Sequence, residues 1–426
     1  MKERKSFILR GTIVYSESMT ELKTLEDGYV VCENGICSGV YETLPERYAD
    51  FTLEDYSGNL IIPGLVDLHV HASQYPFRGL GMDMELLEWL NVNAFPEESR
   101  FGREPGYADK AYELFVRDMK RGATTRAVVF ATADVDSTVC LMEKLEEAGL
   151  VTYVGKVNMD RNVADYYIET TEGSLLATEE WLDKAAEREF VNTYPVITPR
   201  FTPSCSDELM KGLGQIAEKY DLPVQSHLNE NPSEVEWVAE LCPDAGSYSD
   251  TYARYGLFGK GTTTVMAHCI YNTDEEVELM RENGVFVAHC PQSNMNIASG
   301  IAPVRRLLKA GIRVGLGSDV AGGSETSIFA AMKDAIRVSK LNWRLVDQDA
   351  APLTLPEAFF MATAGGGEFF GKVGTFKEGY EFDAVVLDDS SIETTRDLTA
   401  AERLERVVYC SDDRNVKEKY VRGWKV

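Results

Sequence analysis

The stretch PGLVDLHVH, residues 63–71, decides the fold and carries the first functional signal. A Pro-Gly break is followed by an apolar, strand-like run and by two histidines separated by one residue. Because residues i and i+2 of a strand point to the same side, His69 and His71 face one point. Imidazole nitrogen binds zinc and neighbouring first-row metals well, although a lone His-x-His pair is common by chance. The strand and break immediately upstream favour a metal site.

Further strand-like runs follow, and most of them precede an amphipathic helical stretch. They cover residues 123–130, 151–157, 194–198, 222–227, 263–268, 285–289 and 312–317. A strand-then-helix pattern repeated over about 250 residues predicts a closed parallel (β/α)8 barrel, with an open doubly wound sheet as the alternative. We therefore expect an α/β protein whose TIM-like barrel spans residues 63–372.

Both ends of the sequence have a different texture, with short alternating strands and frequent turns. Strand-like pieces cover residues 7–15, 29–32, 36–41, 383–387, 407–410 and 420–426. We expect residues 1–62 and 373–426 to form one small β-sandwich beside the barrel.

Composition excludes several classes of partner. The 426 residues include 69 acidic and 43 basic side chains, giving a net charge of −26 that repels nucleic acids and anionic membranes. Eight scattered cysteines form no Cys-x-x-Cys pair, which argues against a zinc ribbon or a disulfide framework and for a reducing compartment. Neither a signal-peptide core nor an apolar stretch of about 20 residues is found, so a cytoplasmic location is expected.

The histidines carry most of the functional information. The chain has five, and each lies at the C-terminal end of a predicted barrel strand. Enzymes with this fold keep their catalytic groups at that face of the barrel. One histidine there is more often structural than functional, but all five at equivalent positions favour a site made of His69, His71, His227, His268 and His289.

The remaining groups suggest roles around such a metal. His227 offers a third ligand and Asp319 a fourth, although Asp319 is equally suited to cap the following helix. Glu230, three residues after His227, is placed to take a proton from water at the metal and pass it to a substrate nitrogen. His268 is expected to hydrogen-bond that water or a developing oxyanion. For His289, packing and substrate contact remain alternatives.

The sequence favours one metal ion over two. Some barrel hydrolases hold two metals bridged by a carboxylated lysine near the middle strands. Lys156 is the only lysine near such a strand end before His227, and residues 194–200 contain none. A single ion with an open position for water is therefore expected, and both zinc and iron suit a shell of three histidines and one aspartate.

Nearly the whole chain resembles the amidohydrolase superfamily, and within it the guanine deaminases. The His-x-His pair and the barrel aspartate are common to the superfamily. More particular to guanine deaminases are SQYPFRG at 73–79, LLEWLNVNAFP at 86–96 and TPRF at 198–201. Two small departures are Gln292 and Asn229, where we expect threonine or asparagine and serine, respectively.

The resemblance implies roles for individual residues. The metal ligands are His69, His71, His227 and Asp319, the proton shuttle is Glu230, and His268 polarises the water and the leaving group. Substrate contacts are expected from His71, Ala72, Ser73, Gln74, Arg200, Phe201, His227, Glu230 and Asp319.

The chemistry of guanine fits three of these residues. Its mixed donor and acceptor edge can be met by the amide of Gln74, and its O6 by the guanidinium of Arg200. Phe201 offers an apolar face for the purine ring, although a phenylalanine is more often core. Without the family pattern, Arg200 would be assigned to a surface or interface ion pair.

The implied reaction is hydrolysis at guanine C2 to xanthine and ammonia, with Asp319 or Glu230 as the first base. The alternatives are a sister aminohydrolase acting on 8-oxoguanine, cytosine or an adenosine derivative, and a non-catalytic scaffold. A scaffold would be expected to have lost ligands that are all present here. A homodimer is implied by the resemblance only.

Overall fold

Parallel strands alternating with helices make up most of the structure, a computed structural model that describes residues 6–426. The first five residues of the predicted terminal domain lie outside the described residues. The strands are β1 Phe7–Ser18, β2 Glu21–Glu33, β3 Ile36–Tyr41, β4 Thr52–Pro63, β5 Leu65–His71, β6 Thr124–Phe130, β7 Val151–Gly155, β8 Val157–Asn158, β9 Thr193–Pro195, β10 Thr198–Pro199, β11 Val224–Leu228, β12 Thr264–His268, β13 Phe286–His289, β14 Arg313–Leu316, β15 Ala384–Leu387, β16 Val416–Val421 and β17 Trp424–Lys425.

Helices separate most of the parallel strands. They are α1 Leu86–Trp89, α2 Phe95–Glu98, α3 Arg100–Arg103, α4 Tyr107–Arg121, α5 Val135–Ala148, α6 Thr171–Glu187, α7 Asp207–Tyr220, α8 Pro232–Leu241, α9 Tyr248–Ala253, α10 Asp274–Asn283, α11 Pro291–Asn296, α12 Val304–Lys309, α13 Ile328–Leu345, α14 Leu355–Phe360 and α15 Ala400–Cys410. Among the helices within residues 6–426, none combines the length and the apolar character needed to cross a bilayer.

The parallel strands follow one another in chain order. One sheet has the order β5-β6-β7-β9 and a second the order β11-β12-β13-β14, with β8 and β10 paired between them. The predicted strand-like runs from residue 65 to residue 317 all contain strands, although two of them are split into short pairs. The segment that follows β14 also contacts β5, since the Asp319 amide donates to the His69 carbonyl at 2.8 Å. This is the arrangement of a TIM-barrel type fold with mixed α and β content.

Strands from both ends of the chain share a single sheet of order β17-β16-β15-β4-β1-β2-β3. One face of this sheet carries its own apolar cluster, which includes Phe7, Ile13 and Phe382. Side chains of the other face, such as Ile62 and Leu387, join the large core that extends into the barrel. The terminal strands therefore support the barrel directly.

The expectation of a strand at residues 407–410 is wrong, because this segment ends helix α15. Thr399 caps the helix, and Glu402 returns the hydrogen bond in a capping box. Leu404, Val407 and Val408 are buried at helical spacing. The β-branched pair that resembles a strand locally is the apolar face of an amphipathic helix.

A buried ion pair joins the barrel to the terminal sheet. Arg126 on β6 is 1% exposed, and its Nε lies 2.7 Å from Oδ2 of Asp383, which immediately precedes β15. Its Nη2 lies 2.7 Å from Oε2 of Glu381. Burial alone would lower the pKa of Arg126, but the two carboxylates raise it above its ordinary value. The guanidinium is charged, and its Nε and Nη2 atoms bind the two carboxylates at the junction.

Replacing Arg126 with leucine should lower the free energy of unfolding by about 3–5 kcal/mol, because the Asp383 carboxylate would remain buried without its partner. The matched control is Arg10→Leu, since Arg10 forms an exposed pair with Asp27, and exposed pairs contribute little to stability. Chemical denaturation of both variants measures the difference. Equal stability of the two variants would contradict the role assigned to Arg126.

Candidate active site

Side chains from three parallel strands and one loop meet at the C-terminal face of the barrel. His69 and His71 end β5, His227 lies on β11, His268 ends β12, and Asp319 follows β14. All five are buried. The expectation that these histidines and this aspartate lie together agrees with the positions found.

The donor atoms have the spacing of a metal shell. Nε2 of His71 lies 3.2 Å from Nε2 of both His69 and His227. Oδ1 of Asp319 lies 3.2 Å from Nε2 of His69 and 3.4 Å from Nε2 of His71. Ligands around a tetrahedral ion with bonds of about 2.0–2.1 Å are separated by about 3.3–3.4 Å. The cluster is therefore able to hold a metal ion, with donor atoms close together in two groups, His69, His71 and His227, and His69, His268 and Asp319.

The protonation states of the clustered side chains also suit metal binding. Nδ1 of His227 lies 2.6 Å from the Arg200 carbonyl, which can only accept, so its Nε2 presents a lone pair to the cluster. Burial lowers the pKa of His71 and of His227 well below the usual value, which leaves neutral imidazoles. Burial alone would raise the pKa of Asp319, but His69 and His268 hold it below its ordinary range.

Glu230 and His268 form an acid and base pair beside the cluster. Oε2 of Glu230 lies 3.3 Å from Nε2 of His268, and the Ser299 hydroxyl donates to Oε1 of Glu230 at 3.0 Å. Burial and the neighbouring carboxylates of Glu234 and Asp319 raise the pKa of Glu230 well above its usual value. A carboxyl group poised in this way can hold a proton and release it.

The side chain of Asn294 sets the orientation of His268. Nδ1 of His268 lies 2.8 Å from Oδ1 of Asn294, and this contact directs the other ring nitrogen toward Glu230. Sequence reasoning missed both Asn294 and Ser299, although both lie shortly after His289, in the segment AHCPQSNMNIASG at 288–300. Their partners are distant in sequence, so no local pattern marks them.

Left-handed backbone recurs in this region. Asn229 has φ 51°, His268 has φ 70° and Asp319 has φ 47°. Non-glycine residues seldom adopt this conformation, and such strain is typically retained where a side chain must be aimed. The strand ends therefore turn sharply at the site.

A small cavity opens next to the cluster. Its lining includes the predicted residues His71, Gln74, Arg200, Phe201, His227, Glu230, His268 and Asp319. Ala72 and Ser73 do not line it, although both are buried in the turn Ala72–Phe77. The Ser73 hydroxyl instead donates to the Ala131 carbonyl.

Much of the cavity wall was not anticipated. The apolar part comes from Leu86, Trp89, Leu90 and Ile297. The buried Nε1 of Trp89 has no hydrogen-bond partner within the described part of the chain. The segment at 86–96 was noted for its resemblance only, since an apolar run gives no sign of which faces line a cavity.

Three other residues considered in the sequence analysis are buried, and their contacts differ from those of the metal-binding cluster. Arg200 forms an ion pair, as its simplest interpretation required, but the pair is buried and Arg200 also lines the cavity. His289 is buried away from the lining, and burial lowers its pKa to about 3. Lys156 is fully buried, with Nζ 2.8 Å from Oε1 of Glu169.

Comparison with known proteins places this site in a family. The model of the amidohydrolase family matches residues 60–426. Guanine deaminase of Dictyostelium discoideum is 34% identical over 98% of this chain and 98% of its own length, and that of Homo sapiens is 36% identical over 98% and 96%. A solved guanine deaminase of C. acetobutylicum, with guanine bound in its active site, is 44% identical, covers 99% of this chain and 100% of its own, and has a TM-score of 0.96. The chain therefore belongs to the amidohydrolase family, in its guanine deaminase group.

Proposed function

We propose that this chain hydrolyses guanine at C2, giving xanthine and ammonia. The observation that carries the proposal is that Gln74 and Arg200 line the same small cavity as the histidine and aspartate cluster. A sister aminohydrolase would share the cluster without this purine-reading pair. Guanine deaminases match the chain from end to end, and a closely similar structure binds guanine.

We propose one metal ion, zinc or iron, held by His69, His71, His227 and Asp319. The close donor atoms of the histidine and aspartate cluster support a metal at this place. When bound, such an ion supplies a Lewis acid that activates water near neutral pH. The ion pair of Lys156 with Glu169 leaves this lysine engaged, which favours one ion over two.

The protein's own groups handle the protons in this proposal. Glu230 takes the proton of the attacking water at Oε2, the oxygen that faces His268, while Ser299 holds Oε1. The same oxygen passes this proton to the purine ring nitrogen. It then takes the remaining proton from the hydroxyl group on C2 and passes it to the amine, which leaves as ammonia while the C2 carbonyl forms. His268, held by Asn294, uses Nε2 to accept a hydrogen bond from the attacking water.

Recognition falls to Gln74, Arg200 and Phe201. Oε1 of Gln74 accepts from the Ala321 amide at 3.1 Å, which leaves one lone pair and one N–H of its amide for the guanine edge. Arg200 donates to O6, and Phe201 covers the ring. His71, Ala72, Ser73, His227 and Asp319 remain proposed substrate contacts, Ala72 and Ser73 only through the backbone.

The finer features of the architecture and assembly are also proposals. We propose that residues 63–372 form a closed (β/α)8 barrel, supported by the hydrogen bond between the Asp319 amide and the His69 carbonyl. We propose that residues 1–62 and 373–426 form the second, sandwich-like domain, supported by the sheet shared between the chain ends. A cytoplasmic homodimer is proposed from the composition and the family resemblance.

Purified protein should release ammonia from guanine far faster than from adenine, cytosine or guanosine, because the small cavity and its polar pair fit a free purine with O6 and a 2-amino group. A coupled ammonia assay over this panel measures the preference. Protein carrying Glu230→Gln, purified in the same way, controls for a contaminating deaminase. Comparable turnover of adenine or cytosine would contradict the proposed substrate but not the proposed metal site.

Elemental analysis should find about one tightly bound transition metal per chain. His227→Ala should lose most of it, because a ligand from a separate strand is removed. His289→Ala is the matched control and should retain the metal, since His289 is a buried histidine outside the cluster. Two ions per chain, or normal metal content in His227→Ala, would contradict the proposed shell.

Recognition and proton transfer should separate in two variants. Arg200→Ala should keep its metal and lose roughly 2–4 kcal/mol of transition-state binding to guanine. Glu230→Gln should keep metal and guanine affinity but lose turnover by about 100-fold or more, because an amide cannot shuttle a proton. Metal content, guanine affinity and kcat are measured for both. Normal turnover in either variant would show that its assigned role is wrong.

A further inference from the structure

We propose that Glu98 is a positioning residue that sets purine specificity by holding Gln74 and Arg200 in their reading geometry. This inference rests on the proposed function of the site. Glu98 is 1% exposed, ends helix α2 and does not line the cavity. It can therefore act on the substrate only through the side chains that it contacts.

Both oxygens of the Glu98 carboxylate are used. Oε1 accepts from Nε2 of Gln74 at 2.8 Å, and Oε2 accepts from Nη1 of Arg200 at 2.6 Å. The Tyr167 hydroxyl donates to Oε2 at 3.1 Å. One acidic side chain thus bridges the two residues that are proposed to read guanine, although they lie far apart in sequence.

This bridge fixes which way the Gln74 amide faces. An ionised carboxylate only accepts, so the NH2 group of Gln74 must face Glu98. The opposite end of the amide accepts from the Ala321 amide at 3.1 Å. With both ends anchored, Gln74 presents one defined donor and one defined acceptor to the cavity. A neutral residue at position 98 would leave the Ala321 amide as the remaining anchor of this orientation.

The same carboxylate keeps the Arg200 guanidinium charged and in place. Burial alone would lower the pKa of Arg200, but Glu98 raises it above the usual value. The guanidinium also lies over the ring of Phe95, 5.0 Å from its centroid, and Phe95 begins the helix that Glu98 ends. Helix α2 therefore supplies both the counter-charge and the surface on which Arg200 rests. A guanidinium held this firmly loses little entropy when it meets O6.

The decisive comparison uses guanine and 2-aminopurine, which is guanine without O6. In Glu98→Gln, kcat/KM for guanine should fall about 10- to 100-fold, mainly through KM, because the charged donor to O6 is displaced. The loss for 2-aminopurine should be about tenfold smaller, since Arg200 has no O6 to bind. Metal content should not change. Glu97→Gln is the matched control, because Glu97 is the neighbouring glutamate and binds Arg100 outside the cavity.

Equal losses for both substrates, no loss at all, or the same losses in Glu97→Gln would each overturn the proposal. A double-mutant cycle with Arg200→Ala adds a test that destabilisation alone does not satisfy. If Glu98 acts through Arg200, the combined loss for guanine is smaller than the product of the two single losses, and a full product overturns the role. The double variant also serves if Glu98→Gln alone does not fold, because it carries no unpaired buried charge. Glu98 also binds Gln74, so kcat/KM for guanine should then fall below that of Arg200→Ala alone, and an unchanged value overturns the role.

Failure of the proposed function can be told apart from failure of this inference. If the unaltered chain binds guanine in equilibrium dialysis but releases no ammonia, only the proposed function fails. The guanine affinity of Glu98→Gln then tests the positioning role of Glu98, and an affinity equal to that of the unaltered chain overturns this role. If the unaltered chain does not bind guanine, both proposals fall.

Discussion

The meeting of the last parallel strand with the first is the interaction on which the rest of the site depends. The Asp319 amide donates to the His69 carbonyl at 2.8 Å, and the His71 amide donates to the Val320 carbonyl at 3.1 Å. Asp67 strengthens this seam, because its carboxylate accepts from the backbone amides of both His69 and Ser318. These contacts bring the carboxylate that follows the last parallel strand next to two imidazoles of the first parallel strand. No shorter segment of the chain could assemble the same donor set.

Local pattern was enough to predict the parts of the site that lie on strands. His69 and His71 follow from a two-residue period, and His227 and His268 from their place at strand ends. Glu230 and Asp319 follow from their position just beyond such ends. The ordered alternation of strands and helices likewise anticipated where the parallel strands lie, because their buried runs are continuous and apolar.

Other features could not be found in this way, because they arise from contacts between distant segments. Glu98 lies on a short helix and matters only through Gln74 and Arg200, which fold onto it from elsewhere. Asn294 is the partner of a histidine on another strand. Residues 407–410 were misassigned because adjacent valines favour a strand locally, whereas the helix is determined by its cap and by the surface on which it packs.

The shared terminal sheet has a consequence for the order in which the chain can be completed on the ribosome. Strand β4 pairs with β1 on one side and with β15 on the other. Until residues 384–387 emerge, the apolar segment 60–63 of β4 has an open edge on the β15 side, and Arg126 lacks its Asp383 partner. The barrel strands are therefore synthesised while their supporting sheet is unfinished. Before β15 pairs with β4, the nascent chain therefore exposes both an unpaired strand edge and apolar surface, two features that promote aggregation.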